Sequence, residues 1–243
     1  MYKRVKRVAK QILPQQLLEK NEFFFRKLIS LKYKGNNFQC NICNFNLDRF
    51  VTLDDNDLLC PRCGSRSRTR RLYNELNKRT ILKGNVLHFS PPRMLSEQLK
   101  KLDLINYYSS DFENEFIADY HYDITAIACE SDFFDVIICY HVLEHIEADT
   151  KAMSELYRVL KPNGTCFIQT PFKDGDIYED ASFTTKVARK MAFGQDDHVR
   201  IYSVEGLKNR LKDTGFKVDI KTFSASSKDV NGLQPETIIL VKK

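Results

Sequence analysis

Short β-branched apolar runs alternate with segments of helical periodicity over the second two thirds of the chain. The apolar runs predict strands at 86–89, 106–110, 136–140, 165–169, 216–220 and 237–241, and a further strand that ends at Asp123. Strands separated by helical segments are typical of a parallel sheet covered on both faces. We therefore predict an α/β fold for residues 81–243.

The first 80 residues follow a different pattern. Residues 3–13 place apolar side chains on one helical face, with lysines and arginines flanking it. Such a basic amphipathic helix either lies on an anionic membrane surface or packs on its own domain or a partner chain. Residues 15–31 repeat the helical pattern. We divide the chain into a basic helical segment, 1–36, a cysteine- and arginine-rich module, 37–80, and the α/β domain, 81–243.

Charge is divided unevenly along the 243 residues. Residues 1–80 carry 18 Lys and Arg against 7 Asp and Glu, whereas the remaining residues carry 20 against 25. The basic first third favours an anionic partner, either nucleic acid, a lipid surface or a phosphorylated substrate. No apolar run approaches the ~18 residues of a membrane span, and the amino terminus lacks a secretory signal pattern. We expect a cytoplasmic protein, with residues 1–13 as its candidate contact with the inner membrane face.

Four of the seven cysteines form two Cys-x-x-Cys pairs, Cys40 with Cys43 and Cys60 with Cys63, separated by 16 residues. Each pair can supply two thiolates from one tight turn, and two turns complete a tetrahedron about a zinc ion. Four protein ligands close the coordination shell. The pattern therefore predicts a structural Zn²⁺ site and a reducing compartment.

Arginines cluster at the start of the helix that follows the cysteines, at Arg66, Arg68, Arg70 and Arg71. Positive charge at a helix amino terminus opposes the helix dipole. Two interpretations stay open: an anion site for phosphate, nucleic acid or substrate, or a solvated face that pairs with the acidic second domain.

Two short sequence motifs in the α/β domain resemble those of a known family. The first is His-Val-Leu-Glu-His at 141–145, directly after a predicted strand, and the second is Arg-Val-Leu-Lys-Pro-Asn-Gly at 158–164. Residues 84–243 resemble the core of class I S-adenosylmethionine-dependent methyltransferases of the subgroup that carries both. The resemblance implies a Rossmann-like, seven-stranded methyltransferase sheet closed by a β-hairpin, with S-adenosylmethionine as cofactor. The zinc module followed by arginines is also similar to zinc-bearing ribosomal RNA methyltransferases.

The resemblance implies a cofactor site at the carboxyl ends of the strands. Asp111 would accept the ribose hydroxyls, Asp123 the adenine amino group, and Ile124 would lie against the adenine ring. The loop 90–93, Ser-Pro-Pro-Arg, departs from the family because it has no glycine. The predicted cofactor-binding residues are His88, Phe89, Ser90, Pro91, Asp111, Asp123, Ile124, Tyr140 and His141.

The acceptor site is expected after the fifth strand of the sheet. The predicted substrate-binding residues there are Asp197, His198, Arg200 and Tyr202. His198 and His141 are the predicted catalytic residues, with His198 as general base, and His145 is expected to be structural. We expect methyl transfer to a small-molecule or sugar (glycan) hydroxyl. Two alternatives stay open: a methyltransferase for ribosomal or transfer RNA, and a non-catalytic binding protein on this fold.

Overall fold

A computed structural model describes residues 21–78 and 81–243 in two compact units. The cysteine unit contains residues 21–78 together with Phe223–Glu236, and the sheet unit contains residues 81–222 together with Thr237–Lys243. The amphipathic helix predicted at 3–13 lies outside the described residues. None of the helices in the described ranges has the length and apolar character needed to span a membrane.

Short elements build the cysteine unit. Its helices are α1, Glu22–Ser30, and α2, Ser67–Lys78, and a 3-10 turn follows α1 at Leu31–Tyr33. Its strands are β1, Lys34–Gln39, β2, Asn46–Leu47, β3, Val51–Thr52, and β4, Leu58–Leu59. Strands β1 and β2 form one antiparallel pair, and β3 and β4 form another. Each cysteine pair lies at the end of one of these small ribbons, at the turn its spacing predicts.

Residues Phe223–Glu236 belong to the cysteine unit although they are distant from it in sequence. The Gln39 amide donates to the Val230 carbonyl at 2.8 Å, and the Gln234 amide donates to Ser67 Oγ at 2.7 Å. Gly232 has a φ of +64°, and an added Cβ would come within 2.4 Å of the Phe50 ring. A glycine is therefore required there, both for the backbone and for the close approach.

Six strands form the main sheet of the sheet unit. They are β5, Gly84–Phe89, β6, Ile105–Ser110, β7, Phe134–Tyr140, β8, Leu160–Gln169, β11, Lys217–Phe223, and β12, Glu236–Lys242. Their order is β11-β12-β8-β7-β5-β6; the four strands β6, β5, β7 and β8 are parallel, and β12 runs antiparallel to β8. The α/β fold is confirmed. A separate pair, β9, Tyr178–Glu179, with β10, Arg200–Ile201, also belongs to this unit.

The seventh strand of the predicted sheet does not form in the described residues. Only one parallel bridge, between Ser110 and Tyr120, stands where the strand ending at Asp123 was expected. Nearby backbone N–H groups are bound elsewhere, because those of Glu115 and Phe116 donate to the Asp111 carboxylate. Asp123 itself forms a turn, in which Oδ1 accepts from the Thr125 amide and hydroxyl, each at 2.8 Å.

Helices α3, Arg93–Leu99, α4, Asp149–Val159, α5, Lys186–Phe193, and α6, Val204–Asp213, complete the sheet unit. Ala152, Leu156 and Val159 form an apolar stripe along α4 that is buried in the main core cluster. Ser203 caps α6 by accepting from the Gly206 amide at 3.1 Å. This packing fixes the carboxyl ends of β5, β6, β7 and β8, where open α/β sheets bind ligands.

Candidate active site

Three predicted site residues follow the parallel strands directly: Ser90 after β5, Asp111 after β6 and His141 after β7. The Ser90 amide donates to the Ser110 carbonyl and the His141 amide donates to the Gln169 carbonyl, each at 2.8 Å. These bonds extend the sheet ladder one residue past the strand ends. The three residues therefore occupy one edge of a rigid sheet.

Ser90 makes a left-handed turn in the loop that lacks the glycines of the family it resembles. Its φ is +45°, in the left-handed region that costs a residue with a Cβ about 1–2 kcal/mol. Its hydroxyl donates to Asp111 Oδ1 at 2.8 Å, and a hydrogen bond to a charged group contributes about 1.5–3 kcal/mol. The loop thus keeps the left-handed turn without a glycine, because the serine side chain bonds to the acid beside it.

The Asp111 carboxylate is 3% exposed and receives three hydrogen bonds from its own chain. Besides Ser90 Oγ, the amides of Glu115 and Phe116 donate to Oδ2 at 2.6 and 3.0 Å. A carboxylate has about four lone-pair sites. One site remains for a ribose hydroxyl, and a second is available if the backbone at 115–116 releases Oδ2. The acid, the left-handed turn and the open strand ends fit a nucleoside at this edge.

Several predicted cofactor residues have buried side chains. Phe89 and Ile124 are 4% exposed and belong to the main core cluster, and Tyr140 is 8% exposed. His88 is fully buried, and its Nδ1 lies 2.9 Å from the Tyr107 hydroxyl. Burial lowers the pKa of His88 to about 3. These side chains line the interior of the sheet, whereas Ser90 and Asp111 lie at its edge.

His141 pairs with a buried carboxylate. Its φ is +54°, and its Nδ1 lies 3.1 Å from Glu144 Oε1. Glu144 lies in a 3-10 helix, Leu143–His145, and its side chain is 1% exposed, against 19% for the His141 side chain. The pair is therefore a histidine–carboxylate dyad at the carboxyl edge of β7.

His198, the predicted general base, lies in the same cluster but is only 3% exposed. The Val199 amide donates to the Glu144 carbonyl at 2.9 Å, which brings the segment before β10 onto the 3-10 helix. The His198 and His145 rings meet edge to face with centroids 4.7 Å apart, and His145 Nδ1 lies 3.1 Å from Asp197 Oδ2. Burial lowers the pKa of His198 below the usual histidine value, although the Glu144 carboxylate opposes this shift.

Arg200 and Tyr202 make contacts within the protein and not toward an open site. Arg200 donates to the carbonyls of Leu143, Ile146 and Glu147, and its Nε donates to Glu179 Oε2 at 2.7 Å. The Tyr202 hydroxyl, which is buried, donates to Asp149 Oδ2 at 2.5 Å. Both residues hold the 3-10 helix in place, so their predicted role in substrate binding has no support from these contacts.

Arg200 and Tyr202, with the acids that bind them, form a clamp on the 3-10 helix. The sequence analysis did not single out those acids, Asp149 and Glu179. Asp149 also accepts from Arg210 Nη1 at 2.5 Å, and Glu179 bonds to both arginines. Asp149 stands in the first turn of α4, where an acid is ordinarily explained by the helix dipole alone. Only its burial, at 4% exposure, distinguishes it from such a residue.

The four cysteines of the two Cys-x-x-Cys pairs lie together in the cysteine unit. Cys40 Sγ is 3.6 Å from Cys63 Sγ, and Cys43 Sγ is 3.8 Å from Cys60 Sγ. A tetrahedron with metal–sulfur bonds of about 2.3 Å has sulfur–sulfur edges of about 3.8 Å. The cluster therefore fits a four-thiolate metal ion, and none of these cysteines forms a disulfide.

The predicted arginine surface of the cysteine unit is largely internal. Arg70 is fully buried and donates to the carbonyls of Leu58, Ser65, Asn231 and Gly232. Arg71 donates to the Gln234 carbonyl at 2.7 Å, and Arg66 pairs with Asp55 and Asp57. Arg70 and Arg71 are buried against groups of their own unit, so neither interpretation fits these two residues. Arg66, whose side chain is 29% exposed, has two acidic partners in the same unit.

The sequence matches the family described as "Methyltransferase domain" over residues 68–220. The chain belongs to this family. It is a methyltransferase that uses S-adenosylmethionine, as expected from the two sequence motifs. A comparison by sequence with curated proteins gives no match.

Solved structures similar to the methyltransferase share its fold at low identity. An S-adenosylmethionine-dependent methyltransferase from Archaeoglobus fulgidus has a TM-score of 0.53 and 16% identity, covering 72% of this chain and 93% of that one. Phosphoethanolamine N-methyltransferase 2 of Haemonchus contortus, in complex with S-adenosylmethionine, gives 0.50 and 15%, covering 72% and 52%. The chain thus spans about half the length of the Haemonchus contortus protein.

Proposed function

We propose that the methyltransferase transfers a methyl group to the hydroxyl of a small molecule or sugar, with His141 as general base. The observation that carries this proposal is the His141–Glu144 pair at the carboxyl edge of β7. An alcohol must lose its proton as it is methylated, and a histidine held by a carboxylate is suited to take that proton.

The pairing defines how His141 acts. When Nδ1–H donates to Glu144, the basic lone pair is on Nε2, and the carboxylate stabilises the imidazolium that forms on protonation. The His141 side chain is 19% exposed, whereas His198 is 3% exposed. His141 Nε2 itself is buried, so a hydroxyl can reach it only after a small movement of the groups that cover it. We therefore prefer His141 to His198 as the group that removes the hydroxyl proton.

Ser90 and Asp111 are the residues we propose to hold the nucleoside of the cofactor, with Asp123 beyond them. The cofactor supplies a methyl group activated by its positively charged sulfur. The protein contributes orientation: two hydroxyls of a ribose held on a buried carboxylate fix the donor relative to the sheet edge. Asp123 accepts two bonds from Thr125 through Oδ1, which leaves Oδ2 for the adenine amino group.

We propose Zn²⁺ as the ion of the four-cysteine cluster, in a structural role. Support comes from sulfur–sulfur distances of 3.6 and 3.8 Å and from three of the four cysteines being buried. Four thiolates leave no coordination position for a substrate.

The RNA alternative depended on an exposed basic surface beside the cysteines. Arg66 pairs with Asp55 and Asp57, and Arg70 and Arg71 donate to backbone carbonyls of the cysteine unit, so these three guanidinium groups have partners within that unit. The non-catalytic alternative depended on the missing glycines, and Ser90 supplies the left-handed turn in their place. Both observations favour a small-molecule methyltransferase.

A mass-shift screen tests the proposal. The protein is incubated with S-adenosylmethionine that carries a deuterated methyl group. Hydroxyl-bearing metabolites, sugars, amines and total RNA are each added as acceptors in a separate reaction. We expect the labelled methyl group on an oxygen of a small molecule, and loss of product with His141→Gln. Labelled RNA without a labelled small molecule would support the RNA alternative, and product on nitrogen or carbon would overturn the base role of His141.

A further inference from the structure

A second group of metal-ligating side chains lies in the sheet unit, apart from the cysteines. Glu144, His145 and His198 each offer one ligand atom, and these three atoms lie within 4.8 Å of one another. Glu144 is 1% and His198 is 3% exposed. Two imidazoles and a carboxylate form the donor set of zinc sites and of sites for related divalent transition ions, which retain open coordination positions.

The backbone holds the three side chains together independently of any ligand. Glu144 and His145 are consecutive residues of the 3-10 helix Leu143–His145. His198 precedes Val199, whose amide donates to the Glu144 carbonyl at 2.9 Å. Arg200 binds carbonyls on both sides of His145. The donors are therefore brought together by a fixed turn and not by a loose loop.

His145 already has the outer contact that metal-binding histidines usually make. Its Nδ1 lies 3.1 Å from Asp197 Oδ2, and a histidine whose Nδ1–H donates to a carboxylate turns Nε2 toward the metal. The sequence predicted His145 as structural and Asp197 as substrate-binding, and their contact suggests a shared role.

The charges of the cluster suit a divalent cation. Glu144 and Asp197 are acids, and the two histidines are neutral when they act as ligands. The guanidinium of Arg200, which binds carbonyls beside the cluster, is paired with Glu179 at 2.7 Å. Glu144 has two oxygens, so one can remain with His141 while the other binds an ion.

We propose that Glu144, His145 and His198 bind a divalent transition-metal ion, with Zn²⁺ as the best match, at a site separate from the four cysteines. Ligand atoms about 2.1 Å from a tetrahedral ion lie roughly 3.4 Å apart. The cluster must therefore contract by an ångström or so, which rotation of the His145 side chain can supply because that side chain is 31% exposed. The proposal does not depend on the acceptor of the methyl group.

Metal content measures the site without an activity assay. The full chain is equilibrated with micromolar free Zn²⁺, and bound metal is determined by mass spectrometry. We expect two ions per chain for the wild type, and one for Glu144→Gln or for His145→Ala. His121→Ala is the matched control, because His121 is an exposed histidine of the same unit, and it should keep both ions.

Two further variants keep the test decisive. Cys60→Ser should lose the ion of the cysteines and keep the ion of the Glu144 cluster. Asp197→Asn, at a side chain 51% exposed, should keep the fold and weaken the second site about 10–100-fold. One ion per chain in the wild type with none in Cys60→Ser would overturn the proposal. So would a second ion that is retained with full affinity in His145→Ala and Asp197→Asn.

Discussion

His141 Nδ1 lies 3.1 Å from Glu144 Oε1, and the backbone of His141 is left-handed, with a φ of +54°. Positive φ is uncommon for residues other than glycine, although asparagine, aspartate and histidine are enriched there, and such conformations cluster at functional sites. The 3-10 helix that carries Glu144 is held by Arg200. The position of the imidazole is therefore determined by the carboxyl end of β7 and by the contacts of Arg200 with the 3-10 helix.

Replacement of His141 should reduce turnover strongly. General base catalysis typically contributes about 10²–10⁴-fold, and we expect His141→Gln to lose at least about 10²-fold in single-turnover rate on the hydroxyl acceptor. Glu144→Gln should lose less, because His141 remains and only its carboxylate partner is removed. Thermal unfolding checks that both variants are folded. An unchanged single-turnover rate for His141→Gln would rule out its role as base.

His88 should make the sheet unit sensitive to acid. Burial lowers its pKa from 6.5 to about 3, so the native state keeps it neutral while the unfolded chain takes up a proton. The contribution of His88 to the free energy of unfolding is complete above pH 6.5 and is lost as the pH falls toward 3. His88→Phe removes this dependence at the cost of the bond to Tyr107. Urea unfolding between about pH 7 and pH 4.5 should give a steeper decline for the wild type than for His88→Phe; parallel declines would contradict the assignment.

Arg200 should be structurally important despite its position in the expected acceptor region. Arg200→Lys loses the planar group that reaches three carbonyls and Glu179, and a hydrogen bond that involves a charged group contributes about 1.5–3 kcal/mol, so we expect a loss of at least about 2 kcal/mol. Arg189 is the matched control, because it pairs with Glu147 at 2.8 Å, whose side chain is 76% exposed. Arg189→Lys should change stability by less than about 1 kcal/mol. If Arg200→Lys and Arg189→Lys lowered the free energy of unfolding equally in denaturant, the structural role of Arg200 would be contradicted.

Removal of the zinc ion that we propose for the four cysteines should loosen both segments of the cysteine unit, 21–78 and 223–236. The unit is small, and metal binding should supply much of its folding free energy. Hydrogen exchange in a chelator, or in Cys60→Ser, should rise at the amides of Gln39 and Gln234 while the amides of β5 and β7 stay protected. Cys129→Ser is the control, since Cys129 lies outside the cluster. Protection retained at Gln234 would show that residues 223–236 do not depend on the metal.

Local spacing accounts for much of what the sequence predicted. The two Cys-x-x-Cys pairs implied that four thiols meet, and the alternation of strands and helices implied the α/β sheet. The turn after β5 is harder to predict from the sequence, because glycine is the usual signal for positive φ and this turn has Ser90 instead. The bond from Ser90 to Asp111 joins residues 21 positions apart, and no local pattern reports such a contact.

Long-range contacts explain what the sequence did not predict. Arg70 is buried because carbonyls of Asn231 and Gly232 come to it from more than 160 positions away. In the sequence it could not be distinguished from its neighbour Arg66, which pairs with Asp55 and Asp57. In the same way, His198 was predicted as a site residue, but its meeting with Glu144 and His145 depends on how residues 194–199 fold back onto the 3-10 helix.

A crystal structure with S-adenosylhomocysteine is the most direct test of the proposed cofactor site. We predict both ribose hydroxyls on the Asp111 carboxylate, the Ser90 turn beside the nucleoside, and the amides of Glu115 and Phe116 withdrawn from Oδ2. The sulfur should face the edge that carries His141. A ligand bound elsewhere, with Asp111 keeping all three of its present hydrogen bonds, would contradict the account.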